Sequence, residues 1–388
     1  MSLISVVCGC DLRIEHFQVN EVYALTIGES RGVDASAASQ DVTTIVESLF
    51  GSPEKPIWPS DLLTDPLAKK LVSNARIRRA AGPVFSDREG NNFGLFNKHC
   101  VNCHGVSGSG TGPASVFQDP YPRDFRVGIF KWKHTQRRAK PTRDGVATTI
   151  HAGVRGTAMP SFSNLSELEW SCLTDYVIFL SVRGETERNL LAACVDDLGY
   201  DGAEASPRLS ESDQLVAETL QSVVDSWIQA NSHVVSVPDE TDNDVASVER
   251  GKSIFHGQIA NCVGCHGTAG NGNVVMMDYD DWAKEYSSRI GLTPTDREAM
   301  EPFRDAGAHR PRKIKPRRLD DGVFRGGSDS VTLYRRISEG IAGTPMPSIQ
   351  ISEQESTTGL SVKQTWDLVH YVQSLGHLGQ TSEQAKQE

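Results

Sequence analysis

Apolar residues recur at helical spacing in two places far apart in the chain. Leu168, Cys172, Leu173, Tyr176, Val177 and Leu180 accompany Ser166-x-x-Glu169, and Leu360, Trp366, Val369, Val372 and Leu375 accompany Ser361-x-x-Gln364. Each set marks one face of a helix, and each S-x-x-E/Q pair can cap its opening turn. The second stripe is expected to stop at Gly376, a residue that tolerates the left-handed backbone of a helix end. A third stripe, Leu215, Val216, Thr219, Leu220, Val223, Val224, Trp227 and Ile228, predicts a docked helix rather than a tether, followed by a polar, acidic linker over 232–244. Nearer the start two more helices are expected, one ending at Gly51 and one running from Asp65-Pro66 to Gly82. The chain reads as all-α.

Composition narrows the field. With 388 residues, 38% hydrophobic and 23% charged, the chain is too apolar for wholesale disorder and long enough for two or three domains. Its longest apolar run, Tyr176 to Val182, is under half of the roughly 18 residues needed to span a bilayer, which excludes a polytopic membrane protein. The net charge of −11 has the wrong sign for a nucleic-acid binder unless charge is segregated.

Half of the eight cysteines sit in two copies of C-x-x-C-H, Cys100-Val101-Asn102-Cys103-His104 and Cys262-Val263-Gly264-Cys265-His266. This is the attachment pattern of c-type haem: each thiol adds to one vinyl group, and the histidine becomes the proximal iron ligand. A zinc ribbon would need its two cysteine pairs much closer together, and a thioredoxin-like site would need a βαβ context that is missing.

The duplication extends further. Residues 150–162 align without gaps on 337–349, with seven of thirteen positions identical, including Gly-Thr-x-Met-Pro. Pro122-Arg123-Asp124-Phe125 leading to Gly128 and Phe130 likewise echoes Pro316-Arg317-Arg318-Leu319 leading to Gly322 and Phe324. A thioether opposite the histidine is usual for an electron-carrying c-type iron, so Met159 and Met346 are the candidate distal ligands. The proline after each holds it in extended backbone, suited to a loop that presents a side chain. His134, His151 and His309 are the bis-histidine alternatives, none matched in the other unit.

Over roughly residues 88–184 and 245–378 the sequence resembles the class I cytochrome c family, twice in tandem. The resemblance rests on the two C-x-x-C-H motifs, the two Met loops and the closing helices. It implies two covalently attached haem c groups, held by Cys100, Cys103, His104 and Met159 and by Cys262, Cys265, His266 and Met346. It also implies that a proline carbonyl soon after the motif orients the proximal histidine, a role that falls to Pro113 in the first unit. The second unit has no matching proline. Its His-to-Met spacing is 80 residues against 55, the excess carrying Tyr279, Trp282 and Tyr286 as a cover for the haem, a partner site or a plain surface helix.

The organisation expected is therefore a terminal segment 1–10, an N-terminal extension 11–84, a first haem domain 85–184, a helical connector and linker 185–244, a second haem domain 245–380 and a tail 381–388. Val7-Cys8-Gly9-Cys10 has the small residue before cysteine of a lipoprotein site, with Cys10 as a membrane tether; two incidental cysteines are the alternative. Haem attachment of this kind places the protein outside the cytoplasm, in a periplasm-like compartment. Cys172 and Cys194 are expected as buried free thiols, a mutual disulfide being the alternative. Two functions fit: a dihaem carrier passing single electrons between redox proteins, alone or as a respiratory oxidoreductase subunit, and a dihaem peroxidase with a displaceable distal ligand. From Arg123 to Arg143 eight basic residues face one acid, Asp124, and this stretch is expected to steer an acidic redox partner.

Overall fold

A computed structural model describes residues 16–202, 208–276 and 278–384. Cys8 and Cys10 lie outside these residues. Among the described residues the fold is all-α: the only strands are two-residue pieces, an antiparallel pair at Phe85–Ser86 and Asn92–Phe93 and a parallel pair at Ile351–Ser352 and Leu360–Ser361. Among the described residues no helix is long and apolar enough to cross a membrane.

Among the described residues the N-terminal stretch holds four α-helices where two were expected: α1 (Glu21–Arg31), α2 (Ser36–Phe50), α3 (Pro66–Lys70) and α4 (Asn74–Ala80). They are followed by α5 (Leu95–His99), α6 (Val101–His104), α7 (Arg143–Ala152) and the 30-residue α8 (Glu167–Asp196). Ser166 and Glu169 form the reciprocal cap at the start of α8, as their spacing predicts. The helix then runs straight through the boundary expected at 184/185. Its Gly184 does not end it, because Gly184 lies against the backbone of Arg126, where any Cβ would overlap Arg126 Cα. Helices α1, α2 and α4 pack on α8, and their Val42, Val46, Phe50 and Ile77 share one core with Phe96, Tyr176 and Phe179. Helix α9 (Asp213–Ile228) closes this core with Leu220, Val224 and Trp227. Extension, first repeat unit and connector are thus one packed body.

Asp175 on α8 is fully buried and ties the body together: it accepts from Ser73 N at 2.9 Å and Arg76 Nε at 2.5 Å and pairs with Arg143. Cys172 and Cys194 are both buried on α8. Twenty-two residues of helix separate them by about 33 Å, so no disulfide can join them.

The second unit consists of α10 (Val245–His256), α11 (Val263–His266), α12 (Asp281–Glu285), α13 (Glu301–Asp305), α14 (Ser330–Glu339) and α15 (Val362–Gln384). Its core gathers Phe255, Leu333, Tyr334, Trp366, Leu368 and Val369. Helix α15 passes Gly376 without stopping. A Cβ there would come within 2.7 Å of Gly322 Cα, so this glycine permits a close backbone approach, as Gly184 does in the first unit. Asp367 on α15 is almost wholly buried and anchors α10 through Arg250 Nε at 2.8 Å and Ser247 Oγ at 2.6 Å. Burial pushes its carboxyl up, but hydrogen bonds from Arg250, Ser247 and Lys363 outweigh this and leave it below its ordinary value. Its contribution to stability is therefore present above the unfolded carboxylate value of about 4 and lost as pH falls through the lower folded one. Asp367→Asn is expected to flatten the loss of thermal stability of the second unit below about pH 4, as followed by melting curves across that range.

The linker is docked rather than loose. Val235 N donates to His134 O at 2.9 Å, Arg335 Nε to Val235 O at 3.2 Å, and Glu240 sits 3.1 Å from His370 Nε2. The extra segment of the second unit is a clasp on the first. Tyr286, Met300 and Phe303 pack against Val22 and Leu25 of α1. His309 stacks on Tyr121 of the first unit at 4.0 Å between ring centroids, and its Nε2 lies 3.0 Å from Gly110 O. Trp282 stacks on both His309, at 5.9 Å, and Tyr121, at 6.3 Å between ring centroids, and the Arg312 guanidinium covers Tyr121 at 3.8 Å.

Candidate haem-binding site

Each C-x-x-C-H motif forms one short helix, α6 or α11, and a glycine-rich turn follows it on the same plan. Gly110 N donates to His104 O at 2.8 Å and Gly272 N to His266 O at 2.9 Å. Both glycines have positive φ, and a Cβ on either would press to 2.7 Å on the carbonyl oxygen of Pro122 or Pro316. Only glycine lets the chain pass so close to that oxygen. The turn thereby brings the following Pro-Arg pair onto the histidine: His104 Nδ1 lies 3.0 Å from Arg123 O, and His266 Nδ1 lies 2.9 Å from Arg317 O. With Nδ1 donating to a carbonyl, the lone pair stays on Nε2, the tautomer an iron ligand needs. Burial pushes His104 down to about 4, with the Arg123 carbonyl partly opposing it, and burial also lowers His266. Both rings are neutral at physiological pH.

This corrects the role given to Pro113, which is exposed and does not orient His104. The carbonyl comes from Arg123, nineteen residues beyond the histidine. The second unit has the same contact from the matching Arg317 despite lacking a proline after its motif. The repeated Pro-Arg pair was visible in the sequence; that its carbonyl turns back to the imidazole depends on the glycine turn.

The hydrogen bonds of the Gly-Thr-x-Met turn also repeat. Met159 N and Met346 N donate to Thr157 Oγ1 and Thr344 Oγ1 at 3.1 and 3.2 Å, while those hydroxyls donate to Val154 O and Ile341 O. The glycine before each threonine has positive φ, +71° at Gly156 and +68° at Gly343.

All of these elements converge on one cavity of about 950 Å³. Both cysteine pairs, His104, His266, Met159 and Met346 line it, with apolar walls from Phe96, Phe125, Val177, Phe255, Phe324 and Leu368. His134, His151 and His309 do not line it. His309 is held by Gly110 and Tyr121, as described above, and His151 is exposed against Trp170. His99, absent from the sequence reading, does line the cavity and faces Phe162 edge-on at 5.7 Å. The Cys100 and Cys262 thiols are pushed up to about 12 and about 11 by burial and so stay protonated. The residues fit haem c in each half: two thiols for the vinyl groups, a neutral imidazole with a free Nε2 and a thioether in the same apolar cavity.

The two halves meet by an approximate two-fold exchange. A Cβ on Gly156 of the first Met loop would lie 3.0 Å from Val323 Cγ1 and 3.5 Å from Arg317 Nη2 of the second unit. One on Gly343 of the second loop would lie 3.4 Å from Ile129 Cγ2 and 3.5 Å from Arg123 Nη2 of the first. Ile129 and Val323 occupy matching places in the repeat, as do Arg123 and Arg317. Such reciprocal contacts characterise an isologous interface.

Most of the basic stretch is engaged in contacts within the chain, while Arg138 is exposed. Arg126 is buried against Asp124 at 2.9 Å, Lys140 pairs with Glu185, and Arg143 pairs with Asp175. Lys133 donates to the carbonyls of Gln136, Arg137 and Ala139, and Arg137 reaches into the second unit. Lys131 lines the cavity 3.6 Å from Asp280 and is pushed down to about 8, chiefly by burial and then by Arg123. The sequence places these cations near the haem region; the fold spends most of them on contacts within the chain.

Comparison with known proteins gives the family. No curated protein matches the chain. A chain of the Kuenenia stuttgartiensis reducing HAO-like protein complex is similar at 23% identity with a TM-score of 0.47, over 75% of this chain and 97% of that one. The family described as cytochrome c matches residues 93–180 and 248–376, two stretches that together exceed half of the sequence, and the chain belongs to the cytochrome c family.

Proposed function

We propose that this cytochrome c carries two haem c groups and passes single electrons between them and between redox protein partners outside the cytoplasm. The observation that carries the reading is the shared cavity, which brings both C-x-x-C-H motifs and both Met loops to one seam. Bound haem iron would supply a reversible one-electron couple. Cys100 and Cys103 would hold the first group and Cys262 and Cys265 the second, each S–H adding across a vinyl C=C to leave a thioether. Arg123 O and Arg317 O fix the ring orientation of His104 and His266 through Nδ1. Met159 and Met346 would supply a thioether to the bound iron in each half, and the apolar walls of the cavity would keep water from it.

Reductive titration of the matured protein tests this, with two low-spin centres and no turnover of added peroxide expected. High-spin iron with peroxide turnover would establish the peroxidase reading instead. Met159→Ala or Met346→Ala should leave haem attached, lower the potential of that one centre and open it to added imidazole. Unchanged spectra in both variants would mean bis-histidine ligation.

A further inference from the structure

The two Met loops differ in what holds them. In the first unit Val154 N donates to Met159 O at 3.1 Å, a contact wholly within the loop. The matching contact in the second unit, Ile341 N to Met346 O, is longer at 3.3 Å. There the first unit intervenes: Arg137 Nη1 donates to Met346 O at 2.6 Å and Nη2 to Thr344 O at 2.8 Å. The fork is itself fixed. Arg137 N donates to Glu339 Oε2 at 2.9 Å at the end of α14, and Lys133 donates to Arg137 O at 2.9 Å. Gly340, with φ +64°, leaves the room; a Cβ there would sit 2.5 Å from both Arg137 Nη1 and Met346 O. The first loop receives a longer contact in return, Arg325 Nε to Gly156 O at 3.3 Å.

We propose that Arg137 of the first unit is the positioning residue for the thioether of the second, so that ligation at the second iron depends on the two units being docked. A guanidinium donating in parallel to the carbonyls of residues 344 and 346 fixes both ends of the segment that carries the side chain. Lysine, a point donor on a flexible stem, cannot span both. The first loop has no such fork on its Met carbonyl, so the first thioether depends less on the partner unit. The inference rests on Met346 as the distal ligand, as proposed above.

The experiment uses the full-length, haem-loaded chain and the ring-current-shifted methionine methyl signals of its reduced form, assigned by their loss in Met159→Ala and Met346→Ala. Arg137→Ala should broaden or remove the Met346 signal and strengthen imidazole binding at the second ferric centre by roughly tenfold, as expected for loss of a charge-assisted hydrogen bond. The Met159 signal and the first centre should be unaffected. Arg137→Lys, which keeps the charge and the fold, should restore only part of the effect. If Arg137→Ala and Arg137→Lys both keep the Met346 signal and wild-type imidazole affinity, the clamp is refuted. If Met346→Ala itself changes neither signal nor affinity, the ligand assignment fails first, and Arg137 has no thioether to position.

Discussion

Matured protein in which Cys262 and Cys265 are both replaced by Ala is expected to carry one covalent haem per chain instead of two, and to lose the fold of its second unit while keeping the first. The stoichiometry follows from the two motifs being independent attachment sites on separate cores. The unequal effect on folding follows from packing. Phe255, Leu319, Phe324, Leu333, Ile337, Leu368 and Val372 belong to the second core and also face the cavity, so the small second core is completed by whatever fills that space. The first unit has α1, α2, α4 and α9 packed on α8 and a large core away from the cavity. Loss of the filling group should cost the second unit at least about 3–5 kcal/mol, the scale of deleting one large core side chain. Haem-to-protein ratio by pyridine haemochrome and limited proteolysis of the purified variant check both halves. A ratio of one in the wild type, or of two in the variant, would exclude two independent sites.

Gly251→Leu should be nearly as damaging without touching a ligand. Helix α10 crosses α15 at this residue, where any Cβ would overlap Asp367 O and lie 2.8 Å from Tyr371 Cβ. Local preference points the other way, since glycine inside a helix costs about 0.8–1 kcal/mol relative to a good helix former. The clash wins because its partner is backbone, which cannot turn aside, so the helices must separate and expose Phe255 and Trp366. A loss of at least about 3 kcal/mol is expected, at the upper end for overpacked sites, measured by chemical denaturation of the haem-loaded protein. Wild-type stability would mean that the two helices do not cross at this distance in solution.

What was legible in the sequence was what short-range rules encode. Helix starts were readable because a cap is a contact across three residues, and Ser166 and Ser361 are placed as expected. The stripes of α8 and α15 were readable because one face of each helix meets apolar neighbours, although Leu168, the first of its stripe, lies exposed at the helix start. Helix ends were less legible. Gly376 carries the signal of a stop, yet its use is to admit Gly322, a residue 54 positions away.

The sequence by itself determined the all-α class, the duplication and the two C-x-x-C-H motifs, because each motif is a set of particular side chains at fixed short spacing. Only the tertiary structure decided which atoms orient and hold them. The carbonyls of Arg123 and Arg317 reach the histidines because glycine turns fold the chain back, and every residue has a carbonyl, so composition cannot mark the one that is used. The basic stretch has the same charge in any fold, but a surface patch and an internal clamp differ only in where the acids and carbonyls lie. Arg137 meets the loop of Met346 across 209 residues of sequence, a distance over which no local pattern carries information.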